Sequence, residues 1–300
     1  MTTVCQLCFQ NFKKQGRFLY ISSKNFTKER MAVIFETFKP KNKVIATYVD
    51  YYYLDIKPTN DIAGFTCFPH FNNTISLYRS HNRMPDGTIV YDKAAKAFQI
   101  FTPVREKALQ VKQAGAVHRV AIVFNPLGIQ QFFRDRDFSG YITDFDFFTG
   151  SELDTLFVTD NVSTLADLLD QFLHSRYREY KNEALEQAIA YIFRHYDDFS
   201  IEDLGKELQL SRRQLVRIFK THLGVSPKKF QQIVLFRKTM EHKLAANSSQ
   251  SFTTLAYEYN FSDQAHLNKT FEKFTAHSPK QFFSKGTVLG KEDTFWHLQE

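Results

Sequence analysis

Two segments of the carboxy-terminal third carry the same pattern of apolar and turn-forming residues. The first, "SRRQLVRIFKTHLG", begins at Ser211, and the second, "SDQAHLNKTFEKFTA", begins at Ser262. Equivalent positions lie 51 residues apart up to these serines and 52 apart beyond them, which places one added residue after the second serine. The pairs are Leu204 with Leu255, Leu210 with Phe261, Leu215 with Leu267, Phe219 with Phe271, Ser226 with Ser278, Pro227 with Pro279 and Phe230 with Phe282. Because Leu and Phe stand one helical turn apart in both copies, the repeat predicts one structural unit present twice.

Each copy contains residues that begin helices. Acidic residues follow Ser200, and Gln214 follows Ser211 at the spacing of a capping box. Ser-Pro pairs at 226–227 and 278–279 place a cap and a first-position proline at the next helix. The pattern predicts helices at 183–197, 200–208, 211–222, 227–244, 252–259, 263–274 and 279–284. We therefore expect two helix-turn-helix units, at 200–222 and 252–274, joined by the helix at 227–244.

The second helix of such a unit enters the major groove of DNA with its outer face. Apolar spacing predicts an inner face of Leu215, Ile218 and Phe219 in the first copy, and of Leu267, Thr270 and Phe271 in the second. The outer faces give the predicted DNA-binding residues, which are Arg212, Arg213, Val216, Arg217 and Lys220, then Gln264, Ala265, His266, Asn268, Lys269 and Lys273. Arginine suits guanine, asparagine and glutamine suit adenine, and lysine suits phosphate or guanine.

Positive charge is concentrated around the first copy. The chain has a formal net charge of +7, and no acidic residue occurs between Glu207 and Glu241. That interval holds the basic residues Arg212, Arg213, Arg217, Lys220, Lys228, Lys229, Arg237 and Lys238. A stretch of one sign attracts polyanions, so these residues predict an electrostatic contribution to DNA binding.

Residues 181–285 resemble the DNA-binding domain of the AraC/XylS family of bacterial transcription regulators. The stretch "FSDQAHLNKTFEKFTAHSPKQF" is similar to the second-unit signature of that family over its whole length. The resemblance implies two recognition helices in successive major-groove segments on one face of double-stranded DNA. By position it implies base contacts from Arg213, Val216, Arg217, Gln264, Ala265, His266, Asn268 and Lys269. It also implies an activator rather than a repressor, with RNA polymerase as a partner.

Four positions depart from the family pattern. Gln209 and Ala276 stand where glycine is common, which predicts local strain or a changed turn. Asn260 also replaces a common glycine, before Phe261, but this exchange is tolerable because asparagine accepts a left-handed conformation better than most residues. Leu235 stands in the connecting helix where arginine is common, and Arg237 lies close to it. No core or recognition position is lost.

The amino-terminal half is dominated by β-branched and aromatic runs separated by turn residues. Strands are predicted at 44–56, 65–80, 87–92, 98–104 and 116–125, and they indicate a compact sheet or barrel. In the last strand Val120, Ile122 and Phe124 share one face, and Arg119 and Ala121 share the other, as expected for a half-buried strand. A short helix follows at "GIQQFFRD", then an amphipathic helix capped by Ser163 and a polar linker near 178–183.

These features predict an α+β protein of two domains. A β-rich sensor or dimerisation domain, residues 1–178, precedes the tandem helix-turn-helix domain at 181–285 and a tail at 286–300. The first domain resembles the cupin-like domains of a poorly characterised branch of the same family, through "YVDYYYLDI" and "VAIVFNPLGIQQFF". The resemblance implies a barrel with flanking helices, a small-molecule effector that the sequence does not identify, and a homodimer.

One combination of residues matches the ligand types of a zinc site. Cys5 and Cys8 together with Cys67 and His70 would give a Cys3His set. The two pairs lie far apart in the chain, so we expect no metal there.

Two isolated histidines on predicted strands, His81 and His118, are candidate ligands in a cupin-like pocket. Such histidines are more often hydrogen-bonded core or rim residues. Likewise, 32 Phe and 14 Tyr indicate core packing more than an apolar ligand pocket. We expect no cofactor.

Composition predicts a cytoplasmic protein without membrane contact. The first residues, "MTTVCQLCFQNFKKQ", lack the apolar stretch of a secretory signal, and no apolar run reaches the roughly 18 residues of a membrane span. Three cysteines do not form a disulfide framework.

Two alternatives to a transcription regulator remain. A DNA-repair protein would join a cysteine-zinc domain to this kind of helix pair, but three cysteines cannot supply four zinc ligands. The chain also lacks Gly-x-Ser-x-Gly, a P-loop and a paired His-Glu metal helix, so we expect no enzyme. The second alternative is an interaction module whose second unit has lost DNA binding, because residues 262–274 are less basic.

Overall fold

The computed structural model of this chain describes residues 33–59, 64–245 and 250–299, and its amino-terminal half is β-rich. The strands are β1 (Ile34–Phe38), β2 (Val49–Lys57), β3 (Gly64–Cys67), β4 (Asn73–Tyr78), β5 (His81–Arg83), β6 (Ile89–Tyr91), β7 (Phe98–Thr102), β8 (Leu109–Ala114) and β9 (Val117–Phe124). One sheet has the order β1-β2-β9-β4-β7. A second contains β3-β8-β6-β5 and is extended by two strands from the carboxyl terminus. The predicted fold class, a β-rich half followed by a helical half, is confirmed.

Both faces of the first sheet are buried. Val120, Ile122 and Phe124 share one face, as predicted, and pack against the helices α1 (Ile45–Tyr48), α2 (Gly150–Leu156) and α3 (Val162–Arg176). Ala121 and Val123 contact the second sheet from the other face. The expectation of a half-buried strand is therefore wrong, since Arg119 on that second face is only 3% exposed.

Local details in this half also differ from the sequence predictions. The predicted strand at 44–56 begins as helix α1, and the predicted strand at 65–80 is divided by a loop between β3 and β4. The helix predicted at "GIQQFFRD" is a single 3-10 turn, Ile129–Gln131. Helix α3 is capped by Asn161, whose side chain accepts a hydrogen bond from the Thr164 amide at 3.0 Å, rather than by Ser163.

The carboxy-terminal half is helical. Its helices are α4 (Glu183–Arg194), α5 (Ile201–Leu208), α6 (Arg212–Leu223), α7 (Pro227–Ala245), α8 (Phe252–Glu258), α9 (Gln264–Thr275) and α10 (Pro279–Lys285). Every predicted helix is present, and only the first differs by more than one residue at an end. Each of these described helices, like those of the amino-terminal half, is too short or too polar to cross a membrane.

In the described part of the helical half, three non-glycine residues end helices or turns in the left-handed region. Gln209 and Asn260 both have φ 52°, and they occupy equivalent positions in the two copies. Ala276 follows α9 with φ 60°. The turns expected from the family pattern are therefore retained without glycine, at a conformational cost that glycine would avoid.

Residues 286–300, predicted as a tail, contain a hairpin that joins the β-rich half. Strands β10 (Thr287–Leu289) and β11 (Thr294–Gln299) pair antiparallel, and β11 pairs with β3 in the second sheet. Trp296 lies opposite Cys67, and Leu298 lies opposite Phe65. The chain thus returns to its first half after the helical domain.

The two halves share one buried aromatic cluster. The loop between β3 and β4 inserts Phe68 edge-on against Phe282 at 4.7 Å and Phe71 edge-on against Phe193 at 5.1 Å between ring centroids. Residues 177–182 form neither helix nor strand, consistent with the predicted linker. Gln131 nevertheless holds this linker by two hydrogen bonds of 2.9 Å to the Tyr180 backbone. The helical half is consequently docked on the β-rich half rather than tethered to it.

Candidate nucleic-acid interface and internal cavity

Helix α6 is the recognition helix of the first unit. Its amino terminus is closed by a capping box in which Ser211 and Gln214 satisfy each other's backbone amides. Leu215 and Phe219 are fully buried, whereas Ile218 is only partly so. The predicted outer residues Arg212, Arg213, Arg217 and Lys220 are exposed, and Val216 is partly exposed. The sequence therefore placed these five side chains on the solvent face correctly.

The basic side chains of this face form few contacts with other residues of the protein. Arg212 lies 4.0 Å from Glu202, and Lys220 donates to the Gly224 carbonyl at 3.3 Å. Within the described ranges, Arg213 and Arg217 form no side-chain hydrogen bond or ion pair with another residue. An unpaired, exposed guanidinium can bind a phosphate or a guanine without first breaking an internal contact.

Helix α9 is the recognition helix of the second unit, and it begins one residue later than the serine match suggests. Asp263, not Ser262, is its cap, and the carboxylate accepts from the His266 amide at 2.7 Å. Asp263 is thus the structural counterpart of Ser211, so the added residue lies before the cap.

The outer face of α9 is less basic and more engaged than that of α6. Gln264, Ala265, His266, Lys269 and Lys273 are exposed, and Asn268 is partly exposed. The Gln264 amide oxygen accepts from the Thr253 hydroxyl at 2.6 Å, and Lys273 donates to Gln232 at 3.4 Å. The His266 ring lies edge-on to Phe261 at 5.2 Å. Amide and imidazole groups held in this way are suited to base edges more than to phosphates.

Some of the basic side chains between Glu207 and Glu241 are buried or paired and add little charge to the surface. Arg237 is 2% exposed and pairs with Asp293 at 2.8 Å. Lys229 lies 3.9 Å from Glu106 of the β-rich half. The surface charge is therefore carried mainly by α6, and Arg237 does not replace a phosphate contact at the neighbouring position 235.

A cavity of about 490 Å³ lies between the two sheets of the amino-terminal half. Aromatic side chains from both sheets line it, and Thr74, Ser76 and Thr102 contribute hydroxyl groups. The carboxy-terminal hairpin and helix α7 complete its wall through Trp296, Asp293 and Arg237. Its volume falls in the range of small-molecule sites, about 300–1,000 Å³. The aromatic content thus lines a cavity as well as filling the core.

Arg119 is the buried cation of this cavity. It donates to Asp55 at 2.8 Å and to the Tyr78 hydroxyl at 3.3 Å. Its guanidinium lies within cation–π distance of four rings, those of Tyr53, Phe65, Tyr78 and Trp296. Burial raises the pKa of Tyr53 to about 12, although Arg119 opposes the shift. This cluster could not be predicted from the sequence because its members come from β2, β3, β4, β9 and β11.

A second polar cluster lies where the hairpin, the first sheet and α7 meet. The Asp293 carboxylate accepts from the Tyr51 hydroxyl at 3.0 Å, contacts His70 Nε2 at 2.6 Å and pairs with Arg237. Burial, reinforced by the Arg237 charge, lowers the pKa of His70 to about 4 despite the nearby carboxylate. His70 is accordingly neutral at physiological pH and donates a hydrogen bond to Asp293.

Of the residues weighed as ligands of a zinc site, those that the structure describes have other partners. Cys5 and Cys8 lie outside the described residues. Cys67 donates weakly to the Leu109 carbonyl at 3.6 Å.

The two strand histidines also have structural partners. His81 contacts the carbonyls of Arg79 and Ala116, and His118 lies 3.3 Å from Asp160. Burial lowers the pKa of both histidines. In the part of the chain that the structure describes, no group of three or more metal-ligating side chains converges.

Comparison with known proteins gives a family for the helical half. A family model described as "Helix-turn-helix domain" matches residues 204–285. A protein of Haemophilus influenzae named "Uncharacterized HTH-type transcriptional regulator" is 32% identical over 94 residues, which cover 31% of each chain. The "Lactose operon transcription activator" of Staphylococcus xylosus is 24% identical over 112 residues, 37% of this chain and 39% of that protein. This chain thus spans about a third of the length of these curated relatives.

A solved structure of ToxT from Vibrio cholerae is similar over a longer range. It covers 78% of this chain and 98% of the ToxT chain, with 8% identity and a TM-score of 0.47. The matched domain contains α6 and α9 in the same tandem arrangement that the sequence repeat predicted. Residues 204–285 therefore form a helix-turn-helix domain of the family that this model describes.

Proposed function

We propose that this protein is a sequence-specific transcription regulator that binds two adjacent major-groove segments of double-stranded DNA through α6 and α9. The observation that carries the proposal is the pair of capped helices with buried inner faces and exposed polar outer faces. An enzyme is not favoured, because the matched family and the named relatives are transcription regulators.

The two helices contribute differently in this proposal. Arg212, Arg213, Arg217 and Lys220 of α6 supply most of the phosphate contacts, with Arg213, Val216 and Arg217 reaching base edges. Gln264, Ala265, His266 and Asn268 of α9 read bases, and Lys269 and Lys273 add backbone contacts. The exposed, unpaired state of Arg213 and Arg217 supports the first assignment.

We further propose that a small-molecule effector binds in the cavity of the β-rich half. The supporting features are its volume, its aromatic lining and its few convergent polar groups. The effector would shift the population of molecules competent for DNA binding. A homodimer, activation rather than repression, and contact with RNA polymerase complete the proposal. Of these, activation is supported by the S. xylosus relative that is named an activator.

The proposal is tested by titrating duplex DNA, selected by the full chain from a random-sequence library, at several salt concentrations. Counterion release predicts a log-log slope of about −0.9 per neutralised phosphate, so affinity falls steeply with salt. Replacing Lys220 by Ala should reduce the slope by about 1. Lys93→Ala, which changes an exposed lysine of the β-rich half, is the control and should leave the slope unchanged.

Absence of duplex binding, or affinity insensitive to salt, would contradict the proposal. The interaction-module alternative predicts that substitutions on α9 leave duplex affinity unchanged while those on α6 reduce it. The specific observation in its favour is the weaker basicity of α9, so Asn268→Ala and Lys269→Ala belong in the same titration.

A further inference from the structure

We infer that the carboxy-terminal hairpin, residues 287–299, couples the cavity to helix α7 and so to both helix-turn-helix units. The inference rests on the proposed effector function and names its route. The hairpin follows α10 directly in the chain, yet its strand β11 is a member of the second sheet. It is consequently part of both halves of the molecule.

Trp296 fixes the hairpin to the cavity wall. Its ring stacks on Phe65 with centroids 4.1 Å apart and an interplanar angle of 11°. It also meets Tyr53 and Phe35 edge-on, and it faces the Arg119 guanidinium. A molecule that enters the cavity therefore contacts or displaces a side chain of the hairpin.

Asp293 fixes the other end of the hairpin to α7. Its carboxylate and its backbone carbonyl both accept from Arg237, at 2.8 and 2.7 Å. Arg237 is 2% exposed and lies in the middle of the helix that joins the two units. Two further partners of the carboxylate, Tyr51 and His70, belong to the β-rich half.

The contact between Asp293 and Arg237 allows the hairpin few intermediate positions relative to α7. If Asp293 moves without Arg237, the Arg237 guanidinium is left buried without its carboxylate partner, which is strongly unfavourable. The two groups are therefore expected to move together or not at all. A shift of the hairpin at the cavity would thus reach α7 as a displacement of the helix that sets the two recognition helices relative to each other.

Thermodynamic reciprocity supplies a test that needs no knowledge of the effector. If occupancy of the cavity alters DNA binding, DNA binding must alter the cavity wall. Trp296 is the single tryptophan of the chain, so tryptophan fluorescence reports on the hairpin alone. The library-selected duplex is titrated into the full chain while fluorescence anisotropy of the labelled duplex and tryptophan emission are recorded in parallel.

We expect tryptophan emission to change and to saturate with the same midpoint as the anisotropy. Tyr51→Phe, which removes one hydroxyl from Asp293 and keeps the ring, should shrink this change. Tyr91→Phe, at an exposed tyrosine on β6, is the matched control and should not. Ser76→Leu places a larger apolar side chain in the cavity and should change the duplex Kd by about fivefold or more. That effect should be smaller when combined with Tyr51→Phe.

The outcomes separate the inference from the proposed function. Duplex binding with unchanged tryptophan emission, or a Ser76→Leu protein that folds and binds with the wild-type Kd, would overturn the hairpin route alone. A wild-type chain that binds no duplex would overturn the proposed function and the inference together. Far-UV circular dichroism identifies a variant that fails to fold. If Ser76→Leu does not fold, Tyr51→Phe, which only removes a hydroxyl, still tests the hairpin route through the change in tryptophan emission.

Discussion

The two helix-turn-helix units share a buried frame and differ in nearly everything outside it. Leu215 and Phe219 in the first unit, and Leu267 and Phe271 in the second, are all buried to about the same extent. The outer face of α6 carries unpaired arginines, whereas that of α9 carries an amide and an imidazole held by neighbours. Packing therefore preserves the repeat, while the outer faces differ, as the proposed division into an electrostatic and a base-reading helix requires.

Their surroundings differ as well. The end of α6 abuts the linker, where His222 contacts Tyr180 at 3.2 Å, and it also abuts the β-rich half. A side-chain carbon at Gly224 would lie 2.3 Å from the Ser139 carbonyl oxygen. The second unit reaches the β-rich half through Phe282 and the hairpin instead. The two units are thus held by separate contacts, which would allow one to move relative to the other.

The largest effect on stability is expected when the buried phenylalanines that the two units share are removed. Phe219→Ala and Phe271→Ala should each lower the free energy of unfolding by about 3–5 kcal/mol, because both rings are fully buried. Urea denaturation followed by circular dichroism measures the loss. Glu272→Ala, at an exposed position of α9, should change stability by less than about 0.5 kcal/mol. A cost below about 1 kcal/mol at only one of the two phenylalanines would show that the units are not equivalently packed.

The second-largest effect should be on base recognition, which should differ between the outer faces of α6 and α9. Arg217→Ala should weaken binding to the selected duplex by about 1–3 kcal/mol and relax preference at one base position. Asn268→Ala should relax preference at a different position. Repeating the library selection with each variant measures both effects, and Lys93→Ala serves as the control. An unchanged preference in the Arg217 variant would remove this residue from the base-reading set.

Substitutions at the residues that end α6 and α9 should have smaller effects on stability, and these effects should be opposite in sign. Gly224→Ala should destabilise the protein by more than about 1–2 kcal/mol, because φ is +72° and the new carbon meets Ser139. Ala276→Gly should stabilise it by about 0.5–1 kcal/mol, because φ is already +60° and the entropy of the unfolded glycine offsets part of the gain. Thermal denaturation measures both. A loss of stability in Ala276→Gly would refute the proposed strain at the second unit.

The smallest effects concern the amino-terminal caps. Ser211→Ala and Asp263→Ala should each cost about 1 kcal/mol, since each side chain accepts a hydrogen bond from the first turn. Ser262→Ala should cost less than about 0.5 kcal/mol, because this serine is exposed and is not the cap. Chemical denaturation of the three variants compares them. If Ser262→Ala were the costly one, the insertion would lie after the serine, as the sequence pairing suggested.

The helices of the helical half could be predicted almost completely, because the sequence features that determine them are local. Caps at Ser200 and Ser211, first-position prolines and the spacing of Leu and Phe fix each helix within a few residues. The exposure of the predicted contact residues follows from the same spacing. Only the added residue of the second copy was misplaced, because Ser262 and Asp263 are both good capping residues and adjacent in the chain.

The β-rich half depended on contacts between residues far apart in sequence, so less of it could be predicted. Strand β11 has β10 as its local hairpin partner, but its other neighbour, β3, lies more than 200 positions earlier in the chain. Arg119 alternates with apolar residues as a solvent-facing side chain would, and its burial is explained only by Asp55 and four aromatic rings from other strands. Pairing of Arg237 with Asp293 is equally non-local, so a residue counted as surface charge is in fact internal.

The central claim, that both α6 and α9 enter the major groove, is tested most directly by mapping contacts on the selected duplex with guanine N7 methylation interference. We predict two groups of interfering guanines on one face of the DNA, about one helical turn, or about 10–10.5 base pairs, apart. Arg217→Ala should abolish interference in one group only, and Asn268→Ala should alter the other. A single group of interfering guanines, lost in Arg217→Ala and untouched by any substitution on α9, would contradict the account.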